Sequence, residues 1–263
     1  MSACDAHMHV YDSGHPAAPG ALLLPPDAGL DDYAEVQAAL GTERVVVVQP
    51  TTYGLDNTLH LDTMARLGAT ARGVMVIDDA VTTDELRRLT DLGVRGARFH
   101  LLPGGAVGRD RLEPVAAAIA PFGWHIQLQL DGHELVDELD RLRRLPCPLV
   151  IDHVGRFMPP TGPDTPAFGA LLALVDDGAH VKLSAPYESA SDPTHVYETV
   201  SACVDALVAR APDRLLWASN WPHPGQADPP GFDDLLRLRR RWLPTDELLT
   251  AALVDNPAAL YDF

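Results

Sequence analysis

Lysine is nearly absent from this chain. Lys182 is the one lysine among 20 basic residues, set against 37 acidic residues for a formal charge of −17. So acidic a surface repels phosphate backbones, which argues against nucleic acid as a partner. Cysteine is scarce too: Cys4, Cys147 and Cys203 are odd in number and show no C-x-x-C spacing, against both a disulfide framework and a cysteine-held zinc. No apolar run approaches the ~20 residues of a membrane span. The opening MSACDAHMHVYD lacks the basic start and apolar stretch of a signal peptide, so the expected setting is soluble, reducing and cytoplasmic. No G-x-G-x-x-G follows any apolar run, which removes the dinucleotide-binding open sheet. Internal repeats and low-complexity segments are absent as well.

What the chain does have is globular stock: 263 residues, 46% hydrophobic and 22% charged, a length that barrels routinely fill as one unit. Short apolar runs recur around Cys4–Tyr11, Arg44–Gln49, Arg72–Ile77, Val94–His100, Trp124–Leu130, Leu149–His153, His180–Ser184 and Arg214–Ala218. Between them stand segments with three-to-four apolar spacing, such as DDYAEVQAAL, TDELRRLTDL, ELVDELDRLRRL and YETVSACVDALVA. Thr82 and Glu85 fit a capping box, and Leu-Gly at 40–41, 67–68 and 92–93 reads as helix C-termini. The runs are nearly all apolar rather than alternating, as parallel strands covered on both faces should be. Eight such βα units predict an α/β fold, a (β/α)8 TIM barrel forming one domain over 1–263. The Pro- and Gly-rich stretches at 14–29, 102–108, 159–166 and 222–231 are then long βα loops over one barrel.

In such a barrel, chemistry collects at the C-terminal strand ends. His7 and His9, two apart, share a face of strand one, and Arg98 and His100 share one at the end of strand four. Strand five alternates Gln127, Gln129 and Asp131 with Ile126, Leu128 and Leu130. Strand six ends in His153, strand seven in Ser184, and strand eight runs into Ser219-Asn220-Trp221-Pro222-His223. Polar groups gathered at one end of a barrel are costly to bury unless they pair or meet a ligand. Arg98 is placed to hold a carboxylate through a bidentate pair. Other residues read as structural: His125 on the face opposite Gln127, toward the helices; His15, His60, His133 and His195 solvated in loops or helices; and Arg237–Arg241 as a helix face. Ser184 and Ser219 lack a G-x-S-x-G context, so no serine nucleophile is expected.

Three blocks carry a family resemblance: D-x-H-x-H at Asp5, His7 and His9, IDHVGRF around His153, and W-x-x-N-W-P-H around Asn220. They resemble the amidohydrolase superfamily, and within it the metal-independent lactone-processing group of pyrone-dicarboxylate hydrolases and galactarolactone isomerases. QPTTYGLDN at 49–57 is similar to the hydrolase side, while LLPGGAV at 101–107, YES at 187–189 and NWPH at 220–223 are closer to the isomerases. The resemblance implies catalytic roles for His7, His9, His153 and Asn220. It implies substrate contacts from Thr51, Tyr53, Arg98, His100, Gln127, Gln129, Ser184, Tyr187 and His223.

Departures from the family pattern narrow the reading. Metal-dependent relatives hold zinc with the strand-one histidine pair, a histidine each on strands five and six, and a strand-eight aspartate. Here Gln127 or Gln129 stands near the strand-five position and Asn220 at the aspartate, and an amide is a poor zinc ligand. No cofactor is therefore expected, with zinc at His7, His9 and His153 as the alternative. Asn220 also removes the carboxylate with which the hydrolases activate water. The isomerase branch carries asparagine there, and an aspartate-to-asparagine substitution would read the same. Pyrone-dicarboxylate hydrolases clamp a second carboxylate with arginines where this chain has Gly104 or Gly105 and Glu188, against that substrate. The expected activity is hydrolysis or isomerisation of a small carboxylated lactone through a tetrahedral intermediate. A zinc-dependent hydrolase or decarboxylase of the same superfamily and a non-catalytic ligand-binding barrel are the alternatives. The expected partner is a small lactone or carboxylate, with neither nucleic acid nor membrane.

Overall fold

A computed structural model describes residues 2–159, 162–190 and 197–263, so His195 lies outside the described residues, as does part of the loop at 159–166. Eight parallel strands stand in sequence order: β1 (Cys4–Met8), β2 (Arg44–Val48), β3 (Ala71–Met75), β4 (Val94–His100), β5 (His125–Gln129), β6 (Leu149–Ile151), β7 (His180–Leu183) and β8 (Leu215–Trp217). The apolar runs of the sequence predict each of them. The crossover helices are α1 (Leu30–Leu40), α2 (Thr58–Leu67), α3 (Thr83–Asp91), α4 (Leu112–Ile119), α5 (Leu135–Leu142), α6 (Pro166–Asp176), α7 (Glu198–Arg210) and α8 (Phe232–Trp242), followed by α9 (Asp246–Thr250) and α10 (Asn256–Tyr261). This is a (β/α)8 TIM barrel. Among the described residues no helix is long and apolar enough to cross a membrane.

Local chemistry sets the helix ends. Leu40 is followed by Gly41 at φ 67°, and Leu67 by Gly68 at φ 66°, left-handed positions that glycine fills without steric cost. Thr82 Oγ1 accepts from Glu85 N at 3.2 Å, but the Glu85 carboxylate takes Arg88 instead of returning to the cap, so the box is half formed.

The strands bury both faces. Val45, Val47, Phe99, Ile126, Leu128, Val181 and Trp217 join helix residues such as Tyr33, Leu86 and Leu174 in the main core. Cys4, Ala6, Val46, Val48, Val74, Val150, Leu216 and Ala218 form a second, inner cluster with Tyr261. Polar side chains fill further inward positions, among them His7, Arg98, His125, Gln127 and Lys182. Below the strands, the Phe263 ring lies between the guanidinium groups of Arg44 and Arg72, at 4.8 and 4.7 Å.

Two breaks in strand alternation position the site. The β1–β2 register slips between Asp5 and Met8, so Ala6 and His7 both face inward while Asp5 turns to α1 and β8. Past β6, His153, Val154, Gly155 and Arg156 all have positive φ (54°, 54°, 83° and 49°), which sends the neighbours Asp152 and His153 both toward the barrel axis. A β-branched residue such as Val154 holds this conformation at a cost of roughly 1–2 kcal/mol. The barrel closes at a β1–β8 seam, where Asn220 N donates to His7 O at 2.9 Å and His9 N to Trp221 O at 2.8 Å. Behind the seam the buried Asp5 carboxylate accepts from Ser219 N (2.8 Å), Ser219 Oγ (2.5 Å) and Tyr33 Oη (2.9 Å).

Candidate active site

A cleft of about 390 Å³, its open side included, sits at the C-terminal mouth between the β1, β2 and β8 loops. It is lined by His9, Tyr11, Thr51, Arg98, His100, Gln129, His153, Glu188 and Asn220 together with Leu23, Pro50 and Pro224.

The hydrogen bonds fix which imidazole nitrogens are free. His9 Nδ1 faces the Val48 carbonyl at 2.8 Å, so it carries a proton and His9 Nε2 is an acceptor. His7 Nε2 lies 3.2 Å from that acceptor and donates to it. His7 Nδ1 is then the acceptor for Lys182 Nζ at 3.3 Å. Lys182 also donates to Gln127 Oε1 at 2.6 Å and stands 3.8 Å from Asp152, while Gln127 Nε2 donates to Asp152 Oδ2 at 3.0 Å. This sealed network is buried beneath the cleft. Burial pulls Lys182 down to about 8 despite Asp152 beside it. Burial opposes ionisation of Asp152, but its polar surroundings, the Lys182 ammonium and the Gln127 amide N–H among them, outweigh it and hold the carboxyl well below its usual range. Burial lowers His7, His9 and His153 as well, so the imidazoles are neutral at pH 7.

On the other side of the cleft, Arg98 donates through Nη1 to the Gln49 carbonyl (2.7 Å) and through Nη2 to Gln129 Oε1 (3.0 Å), leaving its buried Nε unpartnered. His100 Nδ1 meets the same Gln129 oxygen at 3.0 Å. Asn220, at φ 60°, donates through Nδ2 to Tyr187 Oη at 2.8 Å, and Tyr187 in turn meets His223 Nδ1 at 3.0 Å. Asn220 Oδ1 is buried and has no partner. His153 Nδ1 meets Ser184 Oγ at 2.9 Å.

Of the residues singled out from sequence, His9, Thr51, Arg98, His100, Gln129, His153 and Asn220 reach the cleft. His7 and Gln127 lie beneath it, in the Lys182 network. Tyr53, Ser184, Tyr187 and His223 stand behind the lining as hydrogen-bonding supports, Tyr53 through Asp12 N at 2.9 Å. Sequence reasoning missed Asp152, Lys182, Tyr11 and Glu188, whose Oε2 accepts from Arg156 Nε at 2.9 Å. A lysine occurring once and on a strand was the available signal for Lys182. Two structural assignments are corrected. His125 shares the inward face with Gln127 and packs on Tyr261 inside the barrel, because residues two apart on a strand point the same way. His60 is fully buried beside Tyr53 rather than solvated, since its α2 position faces the sheet.

The donor set can be weighed against what zinc requires. His7, Asp152 and His153 are the group among the described residues whose ligand atoms fall together, within 4.8 Å, and His9 is not part of it. The Lys182 ammonium already occupies the space beside His7 and Asp152. A dication would meet both that charge and Arg98, with only the amides of Gln127 and Asn220 on β5 and beyond β8. These residues do not fit a resident zinc ion; they fit a neutral imidazole pair buttressed by an ion pair. The absent second-carboxylate clamp also has a steric basis, since a Cβ on Gly105 would stand 1.8 Å from the His100 carbonyl oxygen.

A parallel barrel whose C-terminal mouth gathers imidazoles, a buried arginine and an amide around a small cleft defines an enzyme of carbonyl chemistry on small molecules. The chain belongs to the amidohydrolase family, whose model matches residues 4–263. It is 37% identical to a D-galactarolactone isomerase of Agrobacterium fabrum, over 98% of this chain and 90% of that protein. It is 34% identical to a 2-pyrone-4,6-dicarboxylate hydrolase of Comamonas testosteroni, again over 98% and 90%. An apo crystal structure of an Agrobacterium tumefaciens protein, 36% identical, superposes with a TM-score of 0.93 over 100% of this chain and 96% of that one.

Proposed function

We propose that this enzyme isomerises a small carboxylated lactone bearing a free hydroxyl, by moving the acyl group from one oxygen to another without a metal. The observation that carries this reading is Asn220. Its unpartnered Oδ1 can accept from and orient a hydroxyl but cannot take a proton, so a water held there finds no base in Asn220 itself. A substrate hydroxyl held beside the ring carbonyl gains from proximity, where effective molarities reach ~10⁵ M or more, an advantage free water does not share. Arg98, buried and with Nε unpartnered, supplies the carboxylate anchor. His153 leaves one ring nitrogen for the developing oxyanion. The similarity to a D-galactarolactone isomerase supports this reading. Hydrolysis is the second reading, favoured by the similarity to a pyrone-dicarboxylate hydrolase and by the Glu188 carboxylate on the cleft.

Purified protein is incubated with a panel of sugar-acid lactones and followed by proton NMR, with and without chelator. The expected result is interconversion of lactone ring forms with little open-chain acid, at a rate that chelation leaves unchanged. Stoichiometric acid release would favour hydrolysis instead. Activity lost on chelation and restored by zinc would overturn the metal-free mechanism.

A further inference from the structure

Isomerisation by acyl transfer needs a proton carrier, and Asn220 cannot be it. The carrier must take the proton of the attacking hydroxyl and return it to the departing ring oxygen. Four cleft side chains have the chemistry. His9 has both nitrogens engaged, Nδ1 by the Val48 carbonyl and Nε2 by His7. His153 faces a serine hydroxyl, which can donate or accept, so its tautomer is not fixed. Glu188 has Oε2 committed to Arg156.

His100 differs. A guanidinium can only donate, so the Gln129 atom facing Arg98 Nη2 at 3.0 Å is the amide oxygen. That same oxygen faces His100 Nδ1 at 3.0 Å, so Nδ1 must donate to it and carry the proton. The neutral ring therefore has a bare lone pair on Nε2, and the ring lines the cleft beside Arg98. Resting on the isomerase reading above, the geometry points to His100 Nε2 as the proton shuttle, its tautomer set by the Arg98–Gln129 pair. The attacking oxygen forms its bond to the carbonyl carbon as its proton passes to Nε2. When the tetrahedral intermediate collapses, the old ring C–O bond breaks and that oxygen takes the proton back. No water, proton or electron is consumed, so one neutral base serves both halves.

The anchoring of substrate tunes the base. Burial, and after it the Arg98 charge, lower the free imidazole to about 3, which keeps it unprotonated. A substrate carboxylate on Arg98 offsets the second of these and makes Nε2 a better acceptor only once substrate is bound.

The test compares wild type, His100→Asn and Glu188→Gln on a lactone that wild type turns over. His100→Asn should lower kcat by ~10²–10⁴-fold with KM within a few-fold, and added imidazole should partly restore turnover in His100→Ala. An unchanged KM shows that the cleft is intact in the variant. A His100→Asn variant within threefold of the wild-type kcat overturns the shuttle alone, most directly if Glu188→Gln is the variant that collapses. A wild type inactive on every lactone overturns the isomerase reading and the shuttle with it. Ring ¹⁵N NMR of the free protein decides separately: a His100 protonated at Nε2 overturns the tautomer assignment whatever the activity.

Discussion

Asn220 is the residue at which hydrolysis and acyl transfer part. Its φ of 60° is one that asparagine and aspartate both tolerate, so the exchange Asn220→Asp leaves the backbone unstrained. The new carboxylate would stand where Oδ1 is now unpartnered, and would give a water held there an adjacent base. General-base assistance of this kind is worth ~10²–10⁴-fold. Asn220→Asp should therefore release open-chain acid from a lactone that the parent chain isomerises, read by titrating the acid produced. Unchanged products from a folded variant that still binds ligand would show that the amide is structural.

At the scale of single elements, β4 and β5 are matched through a glycine. A Cβ on Gly96 would stand 2.5 Å from His125 Nε2, in the barrel interior, where the ring is also held by Tyr261. Gly96→Ala should cost ~1–3 kcal/mol by overpacking, measured by urea unfolding. Much of that loss should be recovered when His125 is also truncated to alanine, a non-additivity that independent sites do not show. The strands were legible in the sequence because parallel strands, covered on both faces, read as continuous apolar runs such as Arg44–Val48. His9, Arg98, His100 and Asn220 were legible as strand-end polar residues. Asp152 was not, because strand parity sets neighbours on opposite faces, and only the left-handed run from His153 to Arg156 turns both it and His153 inward. The extra residue in β1 hides from pattern reading for the same reason, since a bulge has no signature of its own in C-D-A-H-M. Lys182 sits at a regular inward position, but its partners come from β1, β5 and the turn after β6, which no local pattern brings together.

At the scale of the whole molecule, buried neutral histidines make stability depend on pH. His60, His100 and His125 are each held near 3, against an ordinary 6.5, chiefly by burial. Below about pH 6.5 the unfolded chain takes up protons that the folded chain refuses, so stability falls as pH falls, by up to about 1.4 kcal/mol per pH unit for each ring. Asp152, held low, adds loss in the same direction at more acid pH, while burial raises Asp5 and so opposes it. The urea midpoint should drop steeply between pH 7 and 5, and a flat profile would mean that these rings are already charged in the folded state. The seam that closes the barrel bears on a different question, how such a scaffold changes its chemistry over time. His7, His9, Asn220 and Trp221 join β1 to the chain beyond β8 through main-chain atoms alone. The side chains at these positions take no part in the closure, and Asp5 braces the joint from behind. Selection can therefore exchange imidazole, amide or carboxylate there without unlatching the barrel, so divergence in reaction need not be purchased with loss of fold.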